Sequence, residues 1–360
     1  MRRFSLTKSI QVLLFSILLI VALYYGKPFL IPVVFAGILS MLLLPVAEWL
    51  EHKGFPKVLA VLCADLLIVA VVAGIIGLIS WQVADLAKNA SQLESNITQR
   101  VAQVKQFVAT SLGVSPQEQQ QMMQKQQGSS GISQHVTTML TTLGGAATDF
   151  LLMLIYIFLF LYYRGQLHIF VLRLVAKEKQ QQAEEVLGKI EKTSRNYFTG
   201  LMLMIGCLWI MYGIGFSIVG AKNAIFFAIL CGILELVPFV GNITGTAITI
   251  LVNVAQGGNS GVLIGILITY AVVQFLQTYI LEPLVVGDKV SINPLFTIGG
   301  IVAGELIWGI PGMILAIPII GMAKIVCDNI EVLRPYGYLM GQEEKKGKRK
   351  GIKNPLTKRG

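Results

Sequence analysis

Long apolar runs separated by short polar breaks dominate this chain. Six runs have the length of an ordinary helical crossing, at residues 10–25, 29–49, 58–81, 143–163, 197–219 and 262–281. A crossing helix needs about 20 mostly apolar residues, so each run predicts one transmembrane helix. Between the third and fourth, the pattern changes period. Leu86, Leu93, Ile97, Val101, Val104, Val108 and Leu112 recur at helical spacing, which predicts an amphipathic helix leaving the membrane. A Gln/Met/Gly/Ser stretch at 115–131 follows and reads as a flexible low-complexity segment. Residues 166–195 are amphipathic and charged, with Glu185/Lys189 and Glu191/Arg195 one helical turn apart.

Two further apolar regions, 223–254 and 294–327, exceed 30 residues each and are interrupted near their centres. At 1.5 Å rise per residue, each is too long for one straight crossing of a hydrocarbon core about 30 Å thick. The first reads ELVPFVGNITG, with Pro238, Gly241 and Gly245; the second reads GELIWGIPGM, with Gly304, Gly309, Pro311 and Gly312. Proline removes a backbone donor and clashes with the turn before it, while glycine permits a sharp reversal. A kinked span and a re-entrant hairpin both fit. The order favours hairpins: a plain span and then a broken segment, twice over, gives two units of opposite orientation. Paired interrupted segments in such an inverted repeat point to a transporter's binding site. The fold expected is all-α and polytopic, with about eight membrane segments, two of them re-entrant helical hairpins.

Composition agrees, with 54% apolar and 13% charged residues. So much apolar surface excludes an ordinary soluble domain. The net charge of +10 suggests nucleic acid until its location is considered. Residues 341–360 hold eight Lys/Arg against two Glu, and Arg2, Arg3 and Lys8 add three. Basic tails flanking apolar spans mark cytoplasmic ends, so no nucleic-acid partner is expected. The loop at Lys53 and Lys57 and the 164–195 loop are also basic, whereas 86–142 is nearly balanced. These sides alternate correctly over the first five spans, with both termini inside a bacterial cytoplasmic membrane. The Arg2-Arg3 pair precedes no A-x-A pattern, so the first run reads as an uncleaved span.

Five parts follow. Residues 1–82 carry three transmembrane helices, and 83–142 form the extracytoplasmic amphipathic helix with its flexible Gln-rich region. Residues 143–196 hold the fourth span and a cytoplasmic amphipathic helix. The transport core is 197–335, and 336–360 is a basic cytoplasmic tail.

Irregular backbone at membrane depth is tolerated only where protein or a wet cavity surrounds it. Each break has a carboxylate before it, Glu235 ahead of Pro238 and Glu305 ahead of Pro311. Intramembrane carboxylates are costly and functional by default. Glu235 and Glu305 are therefore candidates to exchange protons for a transient monovalent cation. Asn242, Thr244, Asn253, Asn293 and Thr297 offer neutral oxygens nearby. The plainer reading is that each Glu caps a broken helix end. Asp65 is expected to pair with a neighbouring helix, Asp149 and Lys222 to reach an interface, and Lys324/Asp328 to form an interfacial pair. Cys63, Cys207, Cys231 and Cys327 lie far apart with no CxxC, which implies no disulfide framework, resident metal or cofactor. No HExxH or G-x-S-x-G occurs, so no enzyme is expected.

Two stretches carry a family resemblance: GILELVPFVGNITG at 232–245 and EPLVVGDKVSINPLFTIGGIVAGELIWGIPGMILAIPI at 282–319. They resemble the autoinducer-2 exporter family, or PerM-type permeases, through the Ile-Pro-x-x-Gly-like segment and through Pro283, Gly287, Asn293-Pro294-Leu295, Gly309, Gly312-Met313, Ala316 and Pro318. The order of spans matches over about 10–335. Where the family often has Arg-Gly-Gln this chain has Thr199-Gly200-Leu201, and Asn293 stands in place of a frequent His. Roles of that Arg and His are not carried over. The resemblance implies export of a small solute such as autoinducer-2, or sodium (lithium)/proton antiport. The site expected lies between the broken segments, at Glu235, Pro238, Gly241, Asn242, Asn293, Glu305, Gly309, Pro311 and Gly312. Partners expected are the bilayer, the solute or cation, protons and further copies of the chain. The alternative is an oligomeric channel-like pore.

Overall fold

The structure, a computed structural model, describes residues 6–88, 132–237, 240–286 and 292–342. The expected helix across 89–112, the Gln-rich segment, Pro238 and most of the basic tail lie outside them. The described residues form helices: α1 Leu6–Tyr25, α2 Lys27–His52, α3 Lys57–Lys88, α4 Ile132–Tyr162, α5 Arg164–Arg173, α6 Gln180–Ile218, α7 Ala224–Leu234, α8 Val240–Ala255, α9 Ser260–Leu276, α10 Pro294–Trp308, α11 Ile310–Asn329 and α12 Arg334–Met340. A wider π-helix, Gln277–Val286, continues α9.

Five stretches are long and apolar enough to cross a membrane: Lys27–His52, Lys57–Gln82, Lys177–Ile218, Ser260–Leu284 and Ile310–Asn329. The apolar part of α4 is a sixth when joined to α5. Large apolar side chains cover the outside, as on α1, where Val12, Leu13 and Phe15 are all exposed. The chain is a polytopic helical membrane protein, and such a surface is stable facing lipid.

One expectation needs correction. The charged 166–195 segment and the fifth span are not separate helices, since α6 runs unbroken for 39 residues. No proline falls between 180 and 218, and intramolecular hydrogen bonds can continue from water into apolar surroundings.

The core has two centres. Ala36, Leu43 and Ala47 of α2 meet Val61 and Ala64 of α3 and Ile157 and Leu161 of α4. The larger centre joins Leu208, Tyr212 and Phe216 of α6 to Phe227 and Cys231 of α7, Ile266 of α9 and Leu315 of α11.

Both broken segments fold back on themselves. In the second, Gly309 (φ 66°) separates α10 from α11, a left-handed conformation that glycine adopts without strain. The two helices then run antiparallel with Gly304 against Gly312, so close that a Cβ on either would strike the other's backbone. In the first, Gly241 lies against the Leu234 carbonyl, and the backbone N–H of Lys222 donates to Asn253 Oδ1 at 2.9 Å at the open end. The halves α7 and α8 are thus antiparallel. The two units share order but not packing. Hairpin α7–α8 lies along α6 and α9, whereas α10–α11 rests mainly on α6 through α11 and on α12. Its tip is tied to α1 by Trp308 Nε1 donating to the Leu23 carbonyl at 2.9 Å.

Candidate functional site

The sequence of α8 places Asn242, Thr246, Thr249 and Asn253 at intervals of four, three and four residues, which is one helical face. All four are buried, with at most 5% exposure. Polar groups at that depth need partners, since each unpaired one costs about 1–3 kcal/mol. Two bond back along their own helix, Thr249 Oγ1 to the Gly245 carbonyl (2.8 Å) and Asn253 Nδ2 to the Thr249 carbonyl (2.9 Å). Thr249 also meets Cys231 Sγ of α7 at 3.8 Å. These contacts stitch the hairpin together.

The end of α8 nearest the break reaches outward instead. Tyr212 Oη of α6 donates to Asn242 Oδ1 at 2.7 Å, and Asn242 Nδ2 donates to Gln274 Oε1 of α9. Gln274 Nε2 continues to Thr278 Oγ1 at 3.1 Å. The Thr246 hydroxyl is buried with no hydrogen-bond partner among the described residues. One turn along, Gln277 Nε2 donates to Glu235 Oε1 at 2.6 Å. Glu235 is the residue that closes α7. Gln277 is buried at 5% exposure, and its own Oε1 has no partner among the described residues. Glu282, further along the π-helix, lies within electrostatic range of both Glu235 and the buried Tyr197.

A π-helix borders this cluster. Pro283 lies inside it, and proline cannot donate the bond an α-turn requires. Widening the turn accommodates that loss, and such turns recur at functional sites. Gln277 opens that π-helix on the buried face that α9 sets with Val273 one turn earlier.

Of the residues expected from the sequence, Glu235, Gly241 and Asn242 come together here. Pro238 lies outside the described residues. Glu305 sits at an exposed position of α10 with no side-chain partner among the described residues. Gly309, Pro311 and Gly312 form the α10–α11 reversal, Pro311 in the first turn of α11. Asn293 caps the opposite end of that hairpin. Its Oδ1 accepts from Phe296 N at 3.0 Å and its Nδ2 donates to the Leu339 carbonyl at 2.7 Å, which fixes α10 to α12. The pairing expected of Asp65 is not seen among the described residues, where its Oδ1 is buried without a partner. Lys324 and Asp328 do pair, at 2.5 Å.

Tyr212, Gln274 and Gln277 were missed. The two glutamines inside a span were a visible signal, because uncharged amides are also costly in hydrocarbon. Tyr212 gave none, as tyrosine is common in apolar helices.

The arrangement offers the Glu235 carboxylate, a phenol, three amide side chains and two hydroxyls. That set suits reversible binding of a cation or a small hydroxylated solute. Comparison with known proteins bears on the class. The family model described as "AI-2E family transporter" matches residues 13–331. Similar proteins include "Putative transport protein YrrI" of Bacillus subtilis (strain 168), 24% identical over 83% of this chain and 86% of its own length. "Putative transport protein YueF" of the same organism is 27% identical over 83% of each. A "Putative transport protein" of Borreliella burgdorferi is 23% identical over 59% of this chain and 60% of its own. The chain belongs to the AI-2E transporter family and is a multi-pass membrane protein with a transport role.

Proposed function

We propose that this is a secondary transporter of the bacterial cytoplasmic membrane, with both termini in the cytoplasm, working through the Glu235 site. Its cargo is a small polar solute of the autoinducer-2 kind, exported, or sodium or lithium exchanged for protons. The observation that carries this reading is the Gln277–Glu235 hydrogen bond at the hairpin break. A primary amide presents both donor and acceptor. Toward an ionised Glu235 it offers N–H; once Glu235 is protonated or holds a cation, the amide can turn its Oε1 instead. Loading at Glu235 thereby changes a bond next to the Tyr212–Asn242–Gln274 chain that joins α6, α8 and α9. With the basic loops inside, the α7–α8 hairpin enters from the outer face and α10–α11 from the cytoplasm, an arrangement suited to alternating access.

The test is flux in proteoliposomes. Glu235→Gln should abolish pH-driven solute or cation movement while the protein still assembles; unchanged flux would remove Glu235 from the mechanism. One observation favours the second reading, an oligomeric pore. Glu305 is exposed on α10, and a carboxylate at membrane depth is costly unless another copy or water covers it. Saturable transport with counterflow separates a carrier from a pore, and cross-linking at Glu305→Cys tests for neighbouring copies.

A further inference from the structure

The corner between α4 and α5 turns the chain by 70° over one residue, Tyr163. It is held firmly. Arg164 Nη1 and Nη2 donate to Glu51 Oε1 and Oε2 of α2 at 3.0 and 2.6 Å. Lys57 Nζ sits 5.1 Å from the Tyr162 ring centre, and Lys53 Nζ 3.8 Å from that of Trp49. Aromatic and basic residues at one level mark the boundary between hydrocarbon and headgroups.

Beyond the corner, α5 buries no residue. Leu167, Phe170, Val171 and Leu174 nevertheless form an apolar stripe at i, i+3, i+4 and i+7. They are exposed by 41, 58, 38 and 70%. On the outer face of α4, Leu151, Ile155 and Leu159 are exposed at four-residue intervals and lead to the exposed Tyr163 at the corner. Arg173, Lys177 and Lys179 stand exposed at the end of the α5 stripe. An apolar span that ends at an aromatic level and turns by 70° sends its next helix along the surface.

We propose that α5 lies in the plane of the cytoplasmic leaflet. The Leu167/Phe170/Val171/Leu174 stripe dips into the acyl boundary, and Arg173, Lys177 and Lys179 recruit anionic phospholipid headgroups. In-plane helices bind through this combination of apolar area and charge. The contact also reaches the transport core: Gln180 Nε2 at the start of α6 donates to the Leu172 carbonyl at 3.2 Å, and His168 Nε2 lies 3.9 Å from Glu184 Oε1. Helix α6 then carries Tyr212.

The test uses full-length protein with its four cysteines replaced by alanine, reconstituted in phosphatidylcholine/phosphatidylglycerol vesicles. Nitroxides are attached at Phe170→Cys, Leu174→Cys and Gln166→Cys. The two stripe positions should be relaxed by oxygen and shielded from an aqueous nickel chelate, and position 166 should show the reverse. Nickel access at all three would place α5 in water, and stripe positions closed to both reagents would place it against protein; either overturns the proposal. The charge arm measures the preference for spin-labelled phosphatidylglycerol over phosphatidylcholine at the protein surface. It should fall at least twofold in Arg173→Gln/Lys177→Gln/Lys179→Gln. An unchanged preference would overturn the anionic assignment.

Discussion

Gln277 and Glu235, 42 residues apart in sequence, share a 2.6 Å hydrogen bond at the point where the first broken segment reverses. The glutamine's remaining oxygen is buried without a partner among the described residues. A carboxylate held by one amide, with an unpaired acceptor beside it, supplies the groups on which the proposed transport site rests. It is the site we propose for transport.

Glu235→Gln and Gln277→Met should both impair transport, but differently. The first removes the ionisable group and should abolish pH-driven flux. The second leaves the carboxylate without its donor. A hydrogen bond to a charged group contributes about 1.5–3 kcal/mol, so flux or apparent affinity should fall roughly tenfold to hundredfold. Proteoliposome assays at matched protein incorporation read both. Wild-type affinity in Gln277→Met would show that the bond plays no part in binding.

Gly304 and Gly299 lie on the same helix and should respond oppositely to alanine. A Cβ at Gly304 would meet the Gly312 backbone, whereas at Gly299 nothing lies within 4 Å. Gly304→Ala should destabilise by about 1–3 kcal/mol, the usual cost of overpacking. Gly299→Ala should stabilise by about 0.5–1 kcal/mol through helix propensity. Thermal unfolding in detergent distinguishes them, and equal shifts would contradict the close α10–α11 crossing.

Asp65 is buried in α3 with one oxygen unpartnered among the described residues. Asp65→Asn removes the charge without changing the shape, and the unfolding midpoint should rise, reflecting about 1–3 kcal/mol of desolvation relieved. A lowered midpoint would mean that the carboxylate has a stabilising partner.

The Glu51–Arg164 pair is bidentate and about three-quarters buried, with side-chain exposures of 24 and 27%. A double-mutant cycle with Glu51→Gln and Arg164→Gln should give a coupling of about 1–3 kcal/mol, in the range of charge-assisted bonds. Arg164→Lys should recover only part, because an ammonium cannot form the two-pronged contact. A coupling near zero would show that the corner is set by the helices alone.

The broken segments were legible in the sequence because their signals are local. Length against bilayer thickness, and Pro and Gly inside apolar runs, are read directly from residues 223–254 and 294–327. The Glu235–Asn242 part of the site followed, since both lie within eight residues of one break. Gln274, Gln277 and Tyr212 did not follow, because their importance comes from long-range contact. Nothing in the neighbourhood of Tyr212 specifies that its hydroxyl meets Asn242 across two helices. Asn293 and Glu305 had the same local appearance as Asn242 and Glu235. Tertiary contact separated them, giving Asn293 a capping role and leaving Glu305 outside. The sequence by itself determined that the chain is a multi-pass helical protein with two interrupted segments, since hydropathy and backbone breakers act within a turn or two. Only the tertiary structure decided which polar residues share a site, because that depends on which helix faces pack together across distant parts of the chain.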